Sequence, residues 1–335
     1  MKESVAQFTE AAPVRYRPRR VGHVNFFIND LDRSVEFYTK VCGFEITALE
    51  PQIGAGFLSN GNTHHDIGMV EVKNYEELAK SRHGETAARG YVPGLNHFGW
   101  EMENEKDLVD AHFRAIEAGV EPRVTDQGTS RSNYVFDMDL MLHQFYADQI
   151  KDWRTVFTGG PTELHANPPW MPGESEPSTD PRYDPDPEIR RVEEAPLHPI
   201  KVTHGCIVTN DLAALRGFYV DTGGFDPVYE TTDGNLVYLR GSASEFDMIL
   251  AQSDDANAAG FHHCAFEIGP DEDLDEAAAK LAERGIDVIE SCDLPHKRSL
   301  FILDPDDTPL EFFVRRDGGF EAVSDLKGEA RLYAS

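Results

Sequence analysis

Apolar and polar residues alternate in a short run near the start of the chain and change to helical spacing directly after it. Residues 24–28, VNFFI, carry apolar side chains at every second position, which is the pattern of a strand with one buried face. Residues 31–38 instead repeat apolar positions every three or four residues. Asp30 can cap the start of such a helix, and Gly43 can supply the left-handed residue that ends it. The pattern predicts a strand followed by a short helix.

The same pattern recurs 181 residues later in the chain. The segment VGHVNFFINDLDRSVEFYTKVCGFEI begins at position 21, and VTHGCIVTNDLAALRGFYVDTGGFDPV begins at position 202. Chance does not preserve this many identities in one register, so the chain contains an internal repeat. The matched pairs are His23 and His204, Asn29 and Asn210, Asp30 and Asp211, Phe37 and Phe218, Tyr38 and Tyr219, Gly43 and Gly224, and Asp66 and Asp247.

A second pair of repeats follows within each half. The segments LNHFGWEM and FHHCAFEI align His97 with His263 at an offset of 166. Near the ends, YVFDMDLMLHQFY and FILDPDDTPLEFF align Gln144 with Glu311 at an offset of 167. Strand-like runs such as NLVYLRG and FDMILAQS follow the predicted helix in the third copy. The repeated unit is therefore predicted to be β-α-β-β-β, and it occurs four times.

The length of 335 residues exceeds the usual size of one domain, and the repeats predict two domains of two modules each. Between them lies a stretch rich in proline and acid, which favours a linker or an extended strap. The predicted divisions are an N-terminal tail (1–19), an N-terminal domain (20–153, with modules 20–75 and 93–150), a linker or strap (154–199), a C-terminal domain (200–316, with modules 200–253 and 260–316) and a C-terminal tail (317–335).

Composition excludes several classes of function. The formal net charge of −29 opposes binding to nucleic-acid phosphates and to anionic membranes. The four cysteines form no CxxC pair, which argues against a disulfide scaffold and against a structural zinc site of that type. The sequence contains no run of about 18 apolar residues, so it predicts no membrane span. The first residues also lack the apolar stretch of a secretory signal. We therefore expect a cytoplasmic protein.

Paired βαβββ modules, with histidine on the first strand and a carboxylate on the last, resemble the vicinal-oxygen-chelate superfamily. That superfamily includes glyoxalase I, antibiotic-resistance proteins and type I extradiol dioxygenases, and four modules in two domains look most like the dioxygenases. The resemblance covers roughly residues 20–150 and 200–316. It implies an α+β fold in which the modules pair into two vicinal-oxygen-chelate domains with curved, barrel-like mixed sheets. Members often associate, so a homo-oligomer is also expected.

The resemblance implies a metal site in the C-terminal domain. The family positions for the ligands fall on His204, His263 and Glu311. Two imidazoles and one carboxylate form the facial triad that non-haem iron(II) uses, and manganese(II) suits similar ligands. Such a site leaves positions open for both oxygens of a catechol and for dioxygen. The implied partners are thus a small aromatic substrate and O2.

The family signature is incomplete in this domain. Phe301 stands where the signature has a tyrosine, and Phe246 stands where a histidine is expected. His296 is the one base that the sequence suggests near the metal, although a histidine of a surface loop would explain it too. Phe246, Phe301 and Phe313 are candidates for an apolar wall against an aromatic ring, but core packing explains each of them equally well.

The N-terminal domain carries an equivalent set of residues. His23, His97 and Gln144 occupy the ligand positions, but glutamine is neutral and is a weaker ligand for a hard cation. His65 and Tyr134 fall opposite Phe246 and Phe301 in the C-terminal domain. These five residues suggest a second site that has become vestigial.

Three hypotheses follow for function. The favoured one is an extradiol ring-cleaving dioxygenase. The alternatives are a glyoxalase-like metal-dependent lyase or isomerase, in which the metal stabilises an enediolate, and a non-catalytic protein that binds a small molecule between paired modules. Metal content and oxygen uptake discriminate between them.

Overall fold

Four βαβββ modules follow one another in a computed structural model that describes residues 14–73, 92–162 and 170–335. The first two modules form the N-terminal half of the fold. Their elements are β1 (Arg20–Ile28), α1 (Leu31–Lys40), β2 (Ile46–Glu50), β3 (Ala55–Leu58) and β4 (Ile67–Glu71), then β5 (Gly94–Glu101), α2 (Glu105–Glu117), β6 (Arg123–Asp126), β7 (Ser130–Phe136) and β8 (Leu142–Asp148).

The third and fourth modules repeat this order, and two further helices follow them. Their elements are β9 (Pro199–Thr209), α3 (Leu212–Gly217), β10 (Asp226–Glu230), β11 (Leu236–Arg240) and β12 (Met248–Gln252), then β13 (Gly260–Ile268), α4 (Leu274–Glu283), β14 (Glu290–Asp293), β15 (Lys297–Leu303), β16 (Pro309–Arg315), α5 (Glu321–Ser324) and α6 (Glu329–Ala334). The helix α3 continues directly into a π-helical turn at Phe218–Gly223.

The two modules of each half share one curled sheet of eight strands. The strand orders are β2-β3-β4-β1-β5-β8-β7-β6 and β10-β11-β12-β9-β13-β16-β15-β14. In both sheets the first strands of the two modules lie side by side and antiparallel, and each pairs on its other side with the last strand of a module, in parallel. The predicted fold class is thereby confirmed. The histidines of the first strands consequently lie near the centre of each sheet.

The helix boundaries arise from the residues that the repeat predicted. The Asp30 carboxylate accepts a hydrogen bond from the Arg33 amide at 2.9 Å, and Asp211 accepts one from Ala214 at 3.0 Å. Gly43 and Gly224 both have positive φ angles, 76° and 79°, which residues with a Cβ rarely adopt. These local signals begin and end the helical segments at equivalent positions of the repeat in both halves.

One apolar core runs through both halves of the molecule. The Phe44 ring lies 5.2 Å from that of Phe266, and the Trp100 ring lies 4.8 Å from that of Phe225. Close approach is also needed at Gly205, where a Cβ would lie only 2.2 Å from the ring of Phe98. The two sheets therefore pack against each other, and burial of this apolar surface stabilises them as a pair.

Asp66 and Asp247, the matched acids of the repeat, cross-link the halves reciprocally. Asp66 accepts a hydrogen bond from the Val202 amide of β9 at 3.0 Å, and Asp247 accepts one from the Val21 amide of β1 at 2.7 Å. Both acids are buried. Burial raises the pKa of Asp247 to about 6, although hydrogen bonds from Gly241, Ser244 and Val21 oppose that shift. The repeat thus preserved these residues for a structural contact between halves.

Replacing Asp247 with alanine is expected to lower the free energy of unfolding by about 2–4 kcal/mol. The change leaves the amides of Val21 and Gly241 without their acceptor, and each buried unsatisfied donor costs about 1–3 kcal/mol. Urea unfolding would measure the loss. Asp255, an exposed acid of the same half, is the control, and its alanine variant should change stability by less than about 0.5 kcal/mol. Equal stabilities for the two variants would contradict the structural role.

Residues 170–183 of the segment between the halves contact the surface of the N-terminal half. Trp170 is buried beneath the Arg131 guanidinium, 5.2 Å from its ring centroid, whereas Met171 is half exposed. Farther along, the Tyr183 ring lies under Arg19, and its hydroxyl donates to Glu103 at 2.8 Å. Among the described residues, no helix is both long and apolar enough to cross a membrane.

Candidate metal centre

The strand register brings His204 and Glu311 to the same level of the C-terminal sheet. Ala265 of β13 pairs with His204 of β9 on one side and with Glu311 of β16 on the other. His263 lies two residues before Ala265 on β13, so its side chain leaves the same face of the sheet. All three predicted ligands are buried completely, and their donor atoms lie within 4.8 Å of one another.

The atoms of this triad face one another without forming good hydrogen bonds. Glu311 Oε2 lies 3.4 Å from His204 Nε2 and 3.5 Å from His263 Nε2. Neither imidazole nitrogen has a hydrogen-bond partner among the described residues, which is costly for buried polar atoms. Ligands about 2.1 Å from one cation and at right angles to each other lie about 3 Å apart. The spacing and the unsatisfied nitrogens therefore fit a bound divalent metal.

Neighbouring groups contact the Nδ1 atom of each histidine, and for His204 they determine which ring nitrogen carries the hydrogen. The Thr203 hydroxyl donates to the Ala265 carbonyl at 3.1 Å, so its oxygen accepts from His204 Nδ1, 3.0 Å away. The Nδ1 atom of His263 lies 2.7 Å from Nδ1 of His262. The hydrogen on Nδ1 leaves the Nε2 lone pair of His204 free for a metal, and donation from His263 Nδ1 to His262 would do the same for His263.

Electrostatics keeps the triad in the protonation state that binds metals. Burial lowers the pKa of His204 and of His263 to about 4, against the opposing effect of Glu311. Burial by itself would raise the pKa of Glu311, but Lys297 and the two histidines hold it well below its usual range. At neutral pH the site thus presents two neutral imidazoles and one carboxylate.

Lys297 contacts the triad and was not identified from the sequence. Its ammonium lies 2.7 Å from Glu311 Oε1 and donates to the Ser335 carbonyl, and the side chain is only 1% exposed. The register brings it there, because Phe301 of β15 pairs with Glu311 of β16, and Lys297, four residues before Phe301, lies on the same face of the sheet. Its position beside His296 and Arg298 in the sequence gave no signal of burial.

The three phenylalanines predicted to form an apolar wall surround the two imidazoles. The Phe246 and Phe313 rings lie 4.7 and 5.7 Å from that of His204, and the Phe301 ring lies 5.2 Å from that of His263. All three are buried. Their aromatic faces give the metal triad a dry and apolar neighbourhood.

His296 is buried, in contrast to the alternative of a surface loop. It is 5% exposed, its ring lies 5.0 Å from that of Phe320, and neither of its ring nitrogens has a hydrogen-bond partner among the described residues. Burial and the nearby Lys297 lower its pKa to about 4, against an opposing effect of Glu311. At neutral pH His296 is therefore a neutral acceptor near the triad.

Strict strand alternation predicts that His262 faces away from His263. In the structure the two side chains are in contact. The register of β13 shifts between Phe261 and His263, and such a bulge re-aims side chains. The His262 side chain consequently contacts His263 and forms a potential metal-binding group with His263 and Cys206. The sequence carries no mark of this bulge.

The segment 317–335, which the sequence analysis treated as a tail, packs against residues that surround the triad. The Tyr333 ring lies 4.8 Å from Phe301 and 4.9 Å from His262. Leu332 joins an apolar cluster that includes Phe246 and Cys206. The apolar residues near the end of this acidic segment were the only signal in the sequence.

The equivalent N-terminal residues also come together, but with closer contacts. Gln144 Oε1 lies 3.0 Å from His23 Nε2 and 2.9 Å from His97 Nε2, and the Gln144 amide donates to Ser132 Oγ at 2.8 Å. The neutral amide oxygen thus accepts from the imidazoles where Glu311 leaves them unsatisfied. The two remaining residues of this set are close by. The ring centroid of His65 lies 4.0 Å from that of His23, and the ring centroid of Tyr134 lies 5.7 Å from that of His97.

A family model described as the Glyoxalase/Bleomycin resistance protein/Dioxygenase superfamily matches residues 20–145 and 201–312. The chain belongs to this superfamily. The matched ranges hold all four modules and the complete C-terminal triad, so the superfamily assignment rests on both halves.

Proteins of known activity resemble this member of the superfamily over most of its length. The catechol-2,3-dioxygenase of Bacillus subtilis (strain 168) is 22% identical over 278 residues, which are 81% of this chain and 90% of that protein. Homoprotocatechuate 2,3-dioxygenase from Brevibacterium fuscum, in its complex with 3,4-dihydroxyphenylacetate, superposes with a TM-score of 0.63 at 15% identity. The aligned region spans 92% of this chain and 84% of the dioxygenase chain. The enzyme of the same name from Arthrobacter globiformis has a TM-score of 0.60 at 16% identity, covering 92% of this chain and 82% of its own. At these identities the solved structures establish a shared fold.

Proposed function

We propose that the protein is an extradiol ring-cleaving dioxygenase that binds Fe(II) through His204, His263 and Glu311. The observation that carries the proposal is the buried triad, in which two imidazole nitrogens lack hydrogen-bond partners among the described residues. Two histidines and one carboxylate are the ligand set of non-haem iron(II) oxygenases, and manganese(II) accepts similar donors. The resemblance to catechol and homoprotocatechuate dioxygenases supports the same chemistry.

The bound iron would act as a Lewis acid toward both oxygens of a catechol and would provide an electron path to dioxygen. The chain itself supplies the surroundings. Phe246, Phe301 and Phe313 bind the aromatic ring and exclude water from it. Water exclusion strengthens the electrostatic interactions of the site.

His296 is the proposed acceptor of a catechol proton. It is neutral at pH 7, because burial and Lys297 lower its pKa to about 4, and neither ring nitrogen has a hydrogen-bond partner among the described residues. A general base must be deprotonated at working pH and must lie within reach of its proton. Since Phe301 and Phe246 carry no donor or acceptor, His296 bears this role without help from those positions.

The test of this proposal is oxygen uptake by protein reconstituted with Fe(II) in the absence of air. Mixing with a panel of substituted catechols is expected to consume one O2 per catechol and to form a yellow ring-fission product. Protein without iron should consume none. Tight iron binding without oxygen uptake would instead favour the lyase or isomerase hypothesis, and failure to retain any metal would favour small-molecule binding.

A further inference from the structure

Three histidines of the N-terminal half form a second group of potential metal ligands, which we call the histidine cluster: His23, His64 and His65. Each offers one ligand nitrogen, and the three nitrogens lie within 4.8 Å of one another. The side chains are 1%, 3% and 6% exposed. His64 was not among the candidate residues that the sequence suggested.

His23 is oriented so that one ring nitrogen remains available. Its Nε2 lies 3.0 Å from Gln144 Oε1, a carbonyl oxygen that can only accept, so Nε2 carries the hydrogen. Its Nδ1 is then a bare lone pair, buried and without a hydrogen-bond partner in the part of the chain that is described. The ring lies against Gly99, where a Cβ would come within 2.1 Å of it. The position is therefore shaped to hold this imidazole in one place.

His64 is held in a similar way by a carboxylate. Its Nδ1 lies 3.2 Å from Asp148 Oδ1, a contact that favours the tautomer with the hydrogen on Nδ1 and the lone pair on Nε2. A carboxylate behind a histidine is a frequent arrangement in zinc sites, since it fixes the ring and makes the ligand nitrogen more basic. The His64 and His65 rings lie 4.5 Å apart and the His23 and His65 rings 4.0 Å apart.

We propose that His23, His64 and His65 bind a divalent cation of the zinc class, at a site separate from the C-terminal triad. Three imidazoles without a carboxylate ligand suit zinc, copper or nickel rather than the hard cations that prefer oxygen. Three histidines also leave room for a fourth ligand on a tetrahedral ion. The N-terminal half thus keeps a metal site, although Gln144 has replaced the acid at the position equivalent to Glu311.

Zinc stoichiometry of the full-length protein tests this site, with the C-terminal triad disabled by His263→Ala. Metal-free protein is titrated with Zn(II) against a chromophoric chelator, and bound metal is counted by elemental analysis. The His263→Ala protein is expected to keep one zinc, and adding His23→Ala or His64→Ala should weaken its binding by more than about 100-fold. His112→Ala removes a histidine of the same half outside the cluster and should leave binding unchanged.

One further variant and a check of folding keep the result interpretable. Asp148→Asn should weaken zinc binding by about 10–100-fold, as loss of an orienting partner does. When Co(II) replaces zinc, the visible spectrum of the Asp148→Asn protein should be shifted from that of the protein that keeps Asp148. Should His23→Ala unfold, His64→Ala decides, with circular dichroism as the check of folding. The proposal is wrong if the His263→Ala protein binds no zinc, or if it still binds one after the cluster histidines are removed.

Discussion

Replacing Glu311 with glutamine is expected to remove metal from the C-terminal site and to abolish oxygen-dependent turnover. Glu311 is the only anionic group of the triad, and its Oε2 faces both imidazoles at 3.4 and 3.5 Å. Loss of a residue that orients a ligand lowers metal affinity by about 10–100-fold. Loss of the charged ligand itself should therefore lower metal affinity by more than about 100-fold. Iron content after anaerobic reconstitution and oxygen uptake are the two measurements.

A matched control is available on the neighbouring strand. Glu267 of β13 forms ion pairs with Arg315 and Lys201, and neither ion pair involves a residue of the triad. The Glu267→Gln protein should retain iron and turnover. Full iron in the Glu311→Gln protein would refute the ligand assignment, whatever the activity.

Replacing Lys297 with methionine is expected to destabilise the metal-free protein by about 3–5 kcal/mol. The Lys297 ammonium is the buried partner of Glu311, at 2.7 Å, and removal of one member of a buried ion pair leaves an uncompensated charge. Urea unfolding in the presence of a chelator would measure this loss. Because a bound divalent cation also neutralises Glu311, metal should stabilise the Lys297→Met protein more than it stabilises the parent.

A double variant separates charge from packing in this prediction. Lys297→Met combined with Glu311→Gln removes both charges, so it should recover most of the stability that Lys297→Met loses. The control is Lys201→Met, which breaks the partly exposed pair with Glu267 and should cost less than about 1 kcal/mol. If the double variant is no more stable than Lys297→Met, the charge of Glu311 is not the cause.

The two halves show how one ligand position separates two kinds of site. At position 144 a neutral amide accepts from both imidazoles at 2.9 and 3.0 Å, and the group is satisfied without a cation between them. At position 311 a carboxylate leaves the imidazole nitrogens unsatisfied. In the N-terminal half the proposed zinc-class site therefore uses the other nitrogen of His23 and two histidines outside the repeated triad.

The sequence by itself determined the four modules, their order and the turns that bound them. Alternation of apolar residues and helical spacing are local signals, as are the caps at Asp30 and Asp211 and the left-handed glycines. The alignment of the repeats and the family resemblance also pointed to His204, His263 and Glu311, and the structure brings these residues together. None of this required knowledge of contacts between distant residues.

Only the tertiary structure decided what surrounds those residues. Lys297 is buried against Glu311, a bulge turns His262 toward His263, and Tyr333 of the 317–335 segment packs against Phe301. These contacts depend on how separate strands and the last helices align. Asp66 and Asp247 were matched by the repeat, yet their bonds to the opposite half appear only when the two sheets pack. Sequence periodicity specifies which face of an element is buried, whereas contacts across elements depend on register and packing, which periodicity does not encode.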